Sequence, residues 1–352
     1  MKFIRKFETE SAYNNLQLDH TNTPNISLVS ELQSLNSGIV TTPMIEQAPS
    51  HDYSLDYLTF VAIDDCYFEF DAGHEIMDAP LISYSLDNGT TWSEYFVTKT
   101  EVNIITYDGE IPANGSIYVA AGNKVLFKGS NFMGCTLNCT PAPIFAVSKD
   151  VNTQSNQRFN IEGNIMSLIY GDNFVGQTDM PTSFIENIGQ NGFFTAIFMN
   201  NTSLINAENL ILPLTTVYEN CYSEMFSGCT SLITAPKLLP ATTLAEHCYS
   251  SMFFDCTSLI TAPKLQATEL VQWCYSSMFE GCTNLKNIVC YAKNLEFDDI
   301  YSETYTENWV KGVNTKNGSF VKDSSSVWPT TWPENEYGNF AGIPVGWTIK
   351  NK

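Results

Sequence analysis

The sequence predicts a multidomain, mainly β protein in which a β-sandwich or jelly-roll-like domain precedes an α/β solenoid. Three observations predict this fold. Seven short apolar runs lie between residues 53 and 150, a unit of 26 to 28 residues recurs between residues 190 and 290, and more polar segments flank both regions. The predicted parts are an N-terminal arm (1–52), an all-β domain (53–150), a repeat solenoid with its N-terminal cap (151–300) and a C-terminal cap (301–352).

The composition limits the classes of partner. Among 352 residues, 38 Asp and Glu stand against 17 Lys and Arg, which gives a formal charge of −21 with no basic block. Nucleic-acid binding depends on cations that neutralise phosphates, so a nucleic-acid partner is not expected. The N-terminus lacks the apolar run of a secretory signal, and no stretch approaches the ~18 apolar residues of a membrane span. We therefore expect synthesis in the cytoplasm, no export by the general secretory route and no membrane insertion.

The N-terminal arm differs from the rest of the chain in its composition and in its predicted local structure. "KFIRKF" predicts a strand and "TESAYNNLQ" a short helix, and the segment that follows is polar and loop-like. Such a segment can become ordered by contact with a partner. The arm is therefore expected to be an attachment segment.

The second part reads as an all-β domain. Its runs "YLTFVAI", "CYFEFDA", "LISYSL", "SEYFVT", "VNIITY", "SIYVAA" and "KVLFKG" are separated by Gly, Asn, Asp and Pro, as in a sandwich or jelly roll. Between the third and fourth runs, "SLDNGTTW" supplies the turn residues of a tight hairpin, with Trp92 packing back on the strand. The same stretch resembles the Asp-box of sialidases, which would imply glycan hydrolysis. The hairpin is favoured, because sialidases carry several boxes and an arginine cluster and this chain has one box and no cluster.

The repeat units begin near Cys221, Cys248 and Cys274. In each unit apolar residues recur at i, i+4 and i+8, which predicts a short helix followed by a left-handed cap at Gly228 or Gly281. The β-branched "TSLITAP" that follows, closed by proline, predicts one short strand. Each unit is thus expected to consist of helix, turn, strand and turn.

Two cysteines occupy fixed positions in each unit. Stacking of the units would place them in two structural thiol ladders, namely Cys221, Cys248 and Cys274, and Cys229, Cys256 and Cys282. Packing is the favoured role, because cysteine behaves in cores as a small hydrophobe. Disulfides between adjacent units remain an alternative, since equivalent positions lie within reach. A zinc site is disfavoured, because His247 is the only nearby imidazole.

The exposed strand face is the candidate binding surface. Alternation along the strand predicts that Thr234, Lys237, Thr261 and Lys264 face a ligand. No GxSxG, HExxH, phosphate-loop or dinucleotide motif occurs, and the histidines lie in unrelated segments. Adjacent carboxylates such as Asp64 and Asp65 diverge on regular structure. We therefore expect no catalytic residue, no cofactor and no metal.

The motif "MFxGCTSL" followed by "APxLPATTL" resembles the leucine-rich repeats of the BspA-type family. The resemblance covers about residues 190 to 290 and implies a curved solenoid with a parallel sheet. Proteins of this kind are binding or structural modules on bacterial surfaces and in phage and gut-bacterial genomes. The start "MKFIRKFETESAYNNL" resembles that of Bacteroides-phage structural proteins.

These resemblances together imply a non-enzymatic virion protein, such as a head fibre, decoration or tail-associated protein. Its arm would bind other virion proteins, it would form a homo-oligomer, and its repeats would meet a host surface protein or glycan. A commensal bacterial cell-surface adhesin of the same repeat family is the alternative, and a glycan hydrolase is a third. The tail resembles the closing segment of the same proteins, with Trp328, Trp332 and Trp347 as core of the cap.

Overall fold

The computed structural model describes residues 56–70, 82–95, 117–130, 145–147, 157–183, 185, 192–293, 305–314, 316–328 and 341–352. All of them belong to one compact unit that spans residues 53–352. The expected arm, the run "VNIITY", Cys135, Cys139 and Trp332 lie outside the described residues.

The described elements confirm the mainly β class. Seven strands come first: β1 (Leu58–Ala62), β2 (Cys66–Phe70), β3 (Ile82–Ser85), β4 (Ser93–Tyr95), β5 (Ile117–Val119), β6 (Lys124–Gly129) and β7 (Phe145–Val147). There follow β8 (Phe159–Asn164), the short helix α1 (Ser167–Tyr170), a 3-10 turn (Gly171–Asn173), β9 (Leu204–Ile211), β10 (Leu238–Leu239), β11 (Thr261–Leu265), β12 (Asn287–Cys290), β13 (Ser319–Lys322) and β14 (Thr348–Asn351).

The strands form three sheets. One has the order β4-β3-β6-β1-β8-β9, a second the order β5-β2-β7, and a third the order β10-β11-β12-β13-β14. Strand β1 is antiparallel to β8, and β8 is parallel to β9. The first sheet therefore runs across the predicted domain boundary at residue 150 and into the repeat region.

Aromatic side chains join the first two sheets. The ring of Phe60 on β1 lies 5.1 Å from that of Phe68 on β2 and 5.0 Å from that of Phe127 on β6. Phe159 on β8 contacts both Phe60 and Phe68. All four are buried, so one apolar core serves both sheets.

The repeat units follow one another in parallel. Units aligned by their hydrogen bonds begin at Phe193, Cys221, Cys248, Cys274 and Tyr305. Within a unit, the N–H groups of Cys221 and Ser223 donate to the carbonyl three residues earlier. The N–H groups of Tyr222 and Glu224 donate instead to carbonyls of the next unit. Alternate donors thus close local turns and connect the units.

The predicted helix in each unit is wrong, because the segment is a chain of successive turns. A left-handed residue recurs every fourth position: Asn220, Glu224 and Gly228 have φ of 53°, 56° and 72°. A right-handed helix cannot contain such residues repeatedly. The apolar spacing of four also differs from the 3.6-residue period of a helix, in which a strict fourfold stripe would drift around the axis. A new turn closes at every second residue, so two turns occur in every four residues and the apolar side chains recur with that spacing.

The predicted strand is displaced toward the C-terminus. Strand β11 contains Pro263 instead of ending at it, and the register against β12 shifts between Thr261 and Lys264. Such an irregularity accommodates a residue that lacks an N–H group. In the preceding unit the two-residue strand β10 is accompanied by isolated bridges of Thr234 to Asn206 and to Thr261.

The tail adds one more unit. The segment "TENWVKGV" repeats the turn pattern, with Asn308 and Gly312 left-handed at 54° and 77°. Trp309 is buried and lies 6.4 Å from Tyr275 and 6.0 Å from Phe279, ring centre to ring centre. Trp328 stacks on it at 5.2 Å. The last turns therefore close the core with tryptophan.

Candidate functional site

Both cysteine sets are buried within the repeat units. Cys221, Cys248, Cys274, Cys229, Cys256 and Cys282 are all free thiols. Burial raises the pKa of Cys221 and of Cys229 to about 12. A nucleophilic or metal-binding cysteine must be a thiolate, so these groups are held in the unreactive form. Cys66 and Cys290 are also buried and free.

The second cysteine of each unit makes a bond that sequence reasoning missed. Its thiol donates to a phenylalanine carbonyl of the preceding unit: Cys229 to Phe198 at 3.0 Å, Cys256 to Phe226 at 3.1 Å and Cys282 to Phe253 at 3.0 Å. The sequence carried a partial signal, the polar Asn201 at the equivalent position of the earlier unit, although its side-chain amide donates to the Phe198 carbonyl within its own unit. A position that accepts both Cys and Asn is a hydrogen-bonding position as well as a packing position.

Aromatic columns run beside the thiols. The rings of Tyr222 and Tyr249 stack at 5.6 Å, and those of Phe226 and Phe253 at 5.3 Å. Burial raises the pKa of both tyrosines well above the usual range. The interior of the units is thus apolar and neutral, and the binding chemistry must come from the outside.

Two rows of side chains lie on the side of the parallel strands away from the core, and we call these two rows the outer face. The first row is Asn206, Thr234, Thr261, Asn287, Ser319 and Thr348, and the second is Leu238, Lys264, Val289, Val321 and Lys350. The residues between them, such as Ile288 and Phe320, are buried. Strand alternation therefore places neutral polar side chains, short apolar side chains and lysines together.

The four predicted ligand-facing residues have different settings. Thr261 is exposed, as is Lys237, whose ammonium lies 3.5 Å from Glu208 and 3.2 Å from the amide oxygen of Asn209. Thr234 lies in the first row and is half-buried, and its hydroxyl oxygen is enclosed with no hydrogen-bond partner in the described part of the chain. Its backbone forms bridges to Asn206 on one side and Thr261 on the other.

Lys264 is half-buried and lies against an aromatic ring. Its ammonium is 5.3 Å from the centre of the Tyr291 ring, and that of Lys352 is 4.2 Å from the same centre. Two cations therefore approach one ring on the outer face. Neither forms an ion pair with a described residue.

The sequence "SLDNGTTW" forms the predicted hairpin between β3 and β4. Asp87 accepts hydrogen bonds from the hydroxyl of Thr91 at 2.6 Å, from the Thr91 N–H at 2.8 Å and from Ser85 at 2.8 Å. The bonds from Thr91 lower the pKa of Asp87 to about 2. The indole of Trp92 donates to the Gly89 carbonyl at 3.1 Å. Asp87 is thus committed to the turn and remains ionised, which does not suit a general acid.

Asp64 and His247 take part in structural contacts. Asp64 binds Arg158 at 2.8 Å, and the bonds from Arg158 lower the pKa of that carboxyl. His247 has a left-handed backbone and stacks on Trp273 at 4.7 Å. No group of three or more metal-ligating side chains occurs in the described ranges.

A search of the described helices finds none with the length and apolar character needed to cross a membrane. Comparisons of the chain with protein-family models, with curated proteins and with solved structures found no match.

Proposed function

We propose that this chain is a non-enzymatic structural protein of a phage particle, and that its units form a solenoid of the BspA-type leucine-rich repeat kind. The observation that carries the proposal is the parallel succession of units whose outer face combines a row of Thr, Asn and Ser with lysines. Extended surfaces of stacked repeats suit the binding of large partners.

The parallel strands and the recurring buried positions support the repeat assignment. Strands β11, β12, β13 and β14 pair in sequence order, and the equivalent residues Leu232, Leu259 and Leu285 are all fully buried. The turns that replace the expected helices retain the same inward positions. A repeat protein requires recurrence of the core more than a particular conformation on its second side.

The other parts of the chain have roles in this proposal. The arm (1–52) attaches the protein to other virion proteins, and the β domain acts as a spacer or as the element that forms a homo-oligomer. The first sheet, which joins β1 to β8 and β9, supports this role because it connects the β domain and the repeats through backbone hydrogen bonds. The repeats then meet a host surface protein or glycan.

The proposal is tested by mass spectrometry of particles purified through two density gradients, followed by electron microscopy with antibodies against the repeats. We expect the chain in stoichiometric amounts and label at fixed positions on the particle. A variant that lacks residues 1–52 should fold but be absent from particles. If particles lack the full-length chain, while antibodies label intact bacterial cells, the adhesin of the same repeat family replaces the proposal.

The hydrolase alternative has its own assay. Purified full-length chain incubated with sialylated and neutral glycans should release no sugar. Release that disappears in Asp87→Asn would overturn the non-enzymatic assignment, because Asp87 is otherwise a turn residue.

A further inference from the structure

We propose that Lys264 and Lys352, with Lys350 beside them on the outer face, form a binding site for sulfated glycans. This inference rests on the proposed binding role of the repeats and assigns their ligand class. It starts from two lysine ammonium groups that lie 5.3 and 4.2 Å from the centre of the Tyr291 ring.

Lys264 and Lys352, like Lys286, Lys316 and Lys350, have no acidic partner among the described residues, and what sets them apart is the aromatic ring that they share. Lys237 has Glu208 as a partner, Lys293 has Asp323 and Lys311 has Glu280, at 3.5, 3.4 and 2.9 Å. For Lys264 and Lys352 the described residues provide only the ring. A cation–π contact is a weak interaction, and two like charges near one ring repel each other. An anion between them would relieve this repulsion.

The sheet itself contributes no negative charge. Strands β10 to β14 contain Lys264, Lys322 and Lys350 and no Asp or Glu. Lys322 lies on the inner side and donates to the carbonyls of Asp323 and Ser326. Asp323 directly follows β13, and its carboxylate lies 3.4 Å from the ammonium of Lys293 and accepts from Ser325. The strands themselves are thus cationic on a chain of net charge −21.

The range of electrostatic forces makes this local charge effective. Charges are screened over about 8 Å at physiological ionic strength, so an anion on the outer face experiences the nearby lysines more than the distant carboxylates. A long, dense polyanion such as a nucleic acid would reach beyond this patch and meet the acidic surface. The site therefore suits a ligand whose anionic groups are sparse.

The neighbouring row identifies the ligand as a carbohydrate. Thr261 is exposed beside Lys264, and the amide of Asn287 donates to the hydroxyl of Ser319 at 2.8 Å. These groups can donate to and accept from sugar hydroxyls. Three strand spacings separate Lys264 on β11 from Lys350 on β14, or about 14 Å. A short oligosaccharide with two charged groups can span that distance.

Sulfate is the anionic group that the lysines fit. An ammonium is a compact point charge without the planar fork by which arginine binds a carboxylate through two parallel bonds. The outer rows contain lysines and no arginine. A sulfate ester has three equivalent oxygens and can be approached by ammonium groups from several directions.

The test measures binding of the purified chain to chondroitin sulfate tetrasaccharides, with desulfated chondroitin, hyaluronan and dextran oligosaccharides of matched length as comparison ligands. We expect binding to the sulfated chain alone, weakened at least tenfold between 50 and 300 mM salt as for other ionic contacts. Lys264→Gln with Lys352→Gln should weaken binding at least tenfold, and Lys350→Gln about threefold by loss of one charge. The matched control is Lys124→Gln with Lys316→Gln, two exposed lysines elsewhere, which should leave binding unchanged.

Three outcomes overturn the inference: no binding to chondroitin sulfate, equal binding to hyaluronan, or equal loss in the control variant. Circular dichroism and urea unfolding establish that each variant is folded. Particle analysis is independent of this assay. A chain found in particles that fails to bind sulfated glycan disproves the ligand class alone, and a chain that binds but is absent from particles disproves the virion assignment alone.

Discussion

The antiparallel strands of residues 56–164, together with the short helix and 3-10 turn at 167–173, differ from the repeat units of residues 192–293 in how their buried groups are satisfied. In the first region, contacts occur once. The hydroxyl of Ser167 accepts from the Leu58 N–H at 3.0 Å and donates to the Phe127 carbonyl at 2.8 Å, and Tyr57 donates to Asp172 at 2.7 Å. In the second region, the same contact recurs in every unit. A change at a repeat position therefore disturbs two interfaces, one on each side.

The largest effect is expected from truncation of an aromatic column. Phe253 stacks on Phe226 at 5.3 Å and on Phe279 at 5.8 Å. Phe253→Ala should cost about 3–5 kcal/mol of unfolding free energy, measured by urea denaturation. Hydrogen exchange should show faster opening in the units on both sides, with the amides of β6 less affected. Val327→Ala, at a side chain 83% exposed, is the control and should be near neutral.

If Phe253→Ala accelerates amide hydrogen exchange equally in β6 and in the repeat units, the proposed difference between the two regions is contradicted. It would mean that the antiparallel sheets and the repeat units open together as one cooperative unit.

Glycines with positive φ provide the next test. Gly281 has φ of 77°, and a side chain there would overlap the carboxylate of Asp255 in the preceding unit. Gly122, in the turn between β5 and β6, has φ of 80° with open space around it. Both Ala variants incur the left-handed penalty of about 1–2 kcal/mol. Gly281→Ala should lose about 1–3 kcal/mol more of its unfolding free energy because of overpacking. Urea unfolding midpoints measure the difference, and equal midpoints would refute the close contact between units.

The two thiol ladders should respond differently to serine. Cys256→Ser retains a donor for the Phe226 carbonyl, whereas Cys248→Ser places a hydroxyl where the thiol has no acceptor in the described structure. An unsatisfied buried hydroxyl costs about 1–3 kcal/mol, so Cys248→Ser should be the less stable variant by about that amount. The alanine variants at both positions control for lost volume. If the serine variants are equally stable, the thiol bond contributes nothing.

The sequence indicated the repeated core well and its conformation poorly. The spacing of Cys221, Met225 and Cys229 places all three inward, and they are fully buried. A spacing of four is close enough to 3.6 to be interpreted as a helix, and only the left-handed φ at intervening positions distinguishes the two. Asn220 and Gly228 favour that conformation, but Glu224 gives no such signal.

The candidate surface was predictable only in part. Thr261 and Lys264 are three residues apart, so strict alternation would place them on opposite faces. The irregularity between them is what brings both onto the outer face. The contribution of Lys350 and Lys352 was not predictable, because they lie 59 and 61 residues after Tyr291 in the chain and only the pairing of β14 with β13 brings this segment to the sheet. The enclosure of Thr234 depends on neighbouring strands and leaves no mark on its own segment.

The dependence of the unfolding free energy on alkaline pH provides the most general test of the difference between the two regions. Burial raises the thiol pKa of Cys221, Cys229 and Cys66 from 9.0 to about 12. In the unfolded chain these thiols ionise near pH 9, so the native state retains more protons between pH 9 and 12. The unfolding free energy should therefore fall as pH rises through that window, and the thiol contribution should be fully present below pH 9.

Because two of these three thiols lie in the repeats, the variant Cys221→Ala with Cys229→Ala should flatten the fall more than Cys66→Ala does. Urea unfolding in reductant at pH 8, 9.5 and 10.5 measures the slopes, and maleimide labelling at pH 7.5 should modify these thiols only after unfolding. The unfolding free energy falls more steeply with pH when more buried thiols are present, since each thiol with a raised pKa keeps its proton in the native state. The difference in slope between the variants therefore reports the number of buried thiols in each region. Equal slopes for both variants, or rapid labelling of the folded chain, would show that the repeat thiols are open to solvent and that the repeat interior is less tightly closed than the sheets.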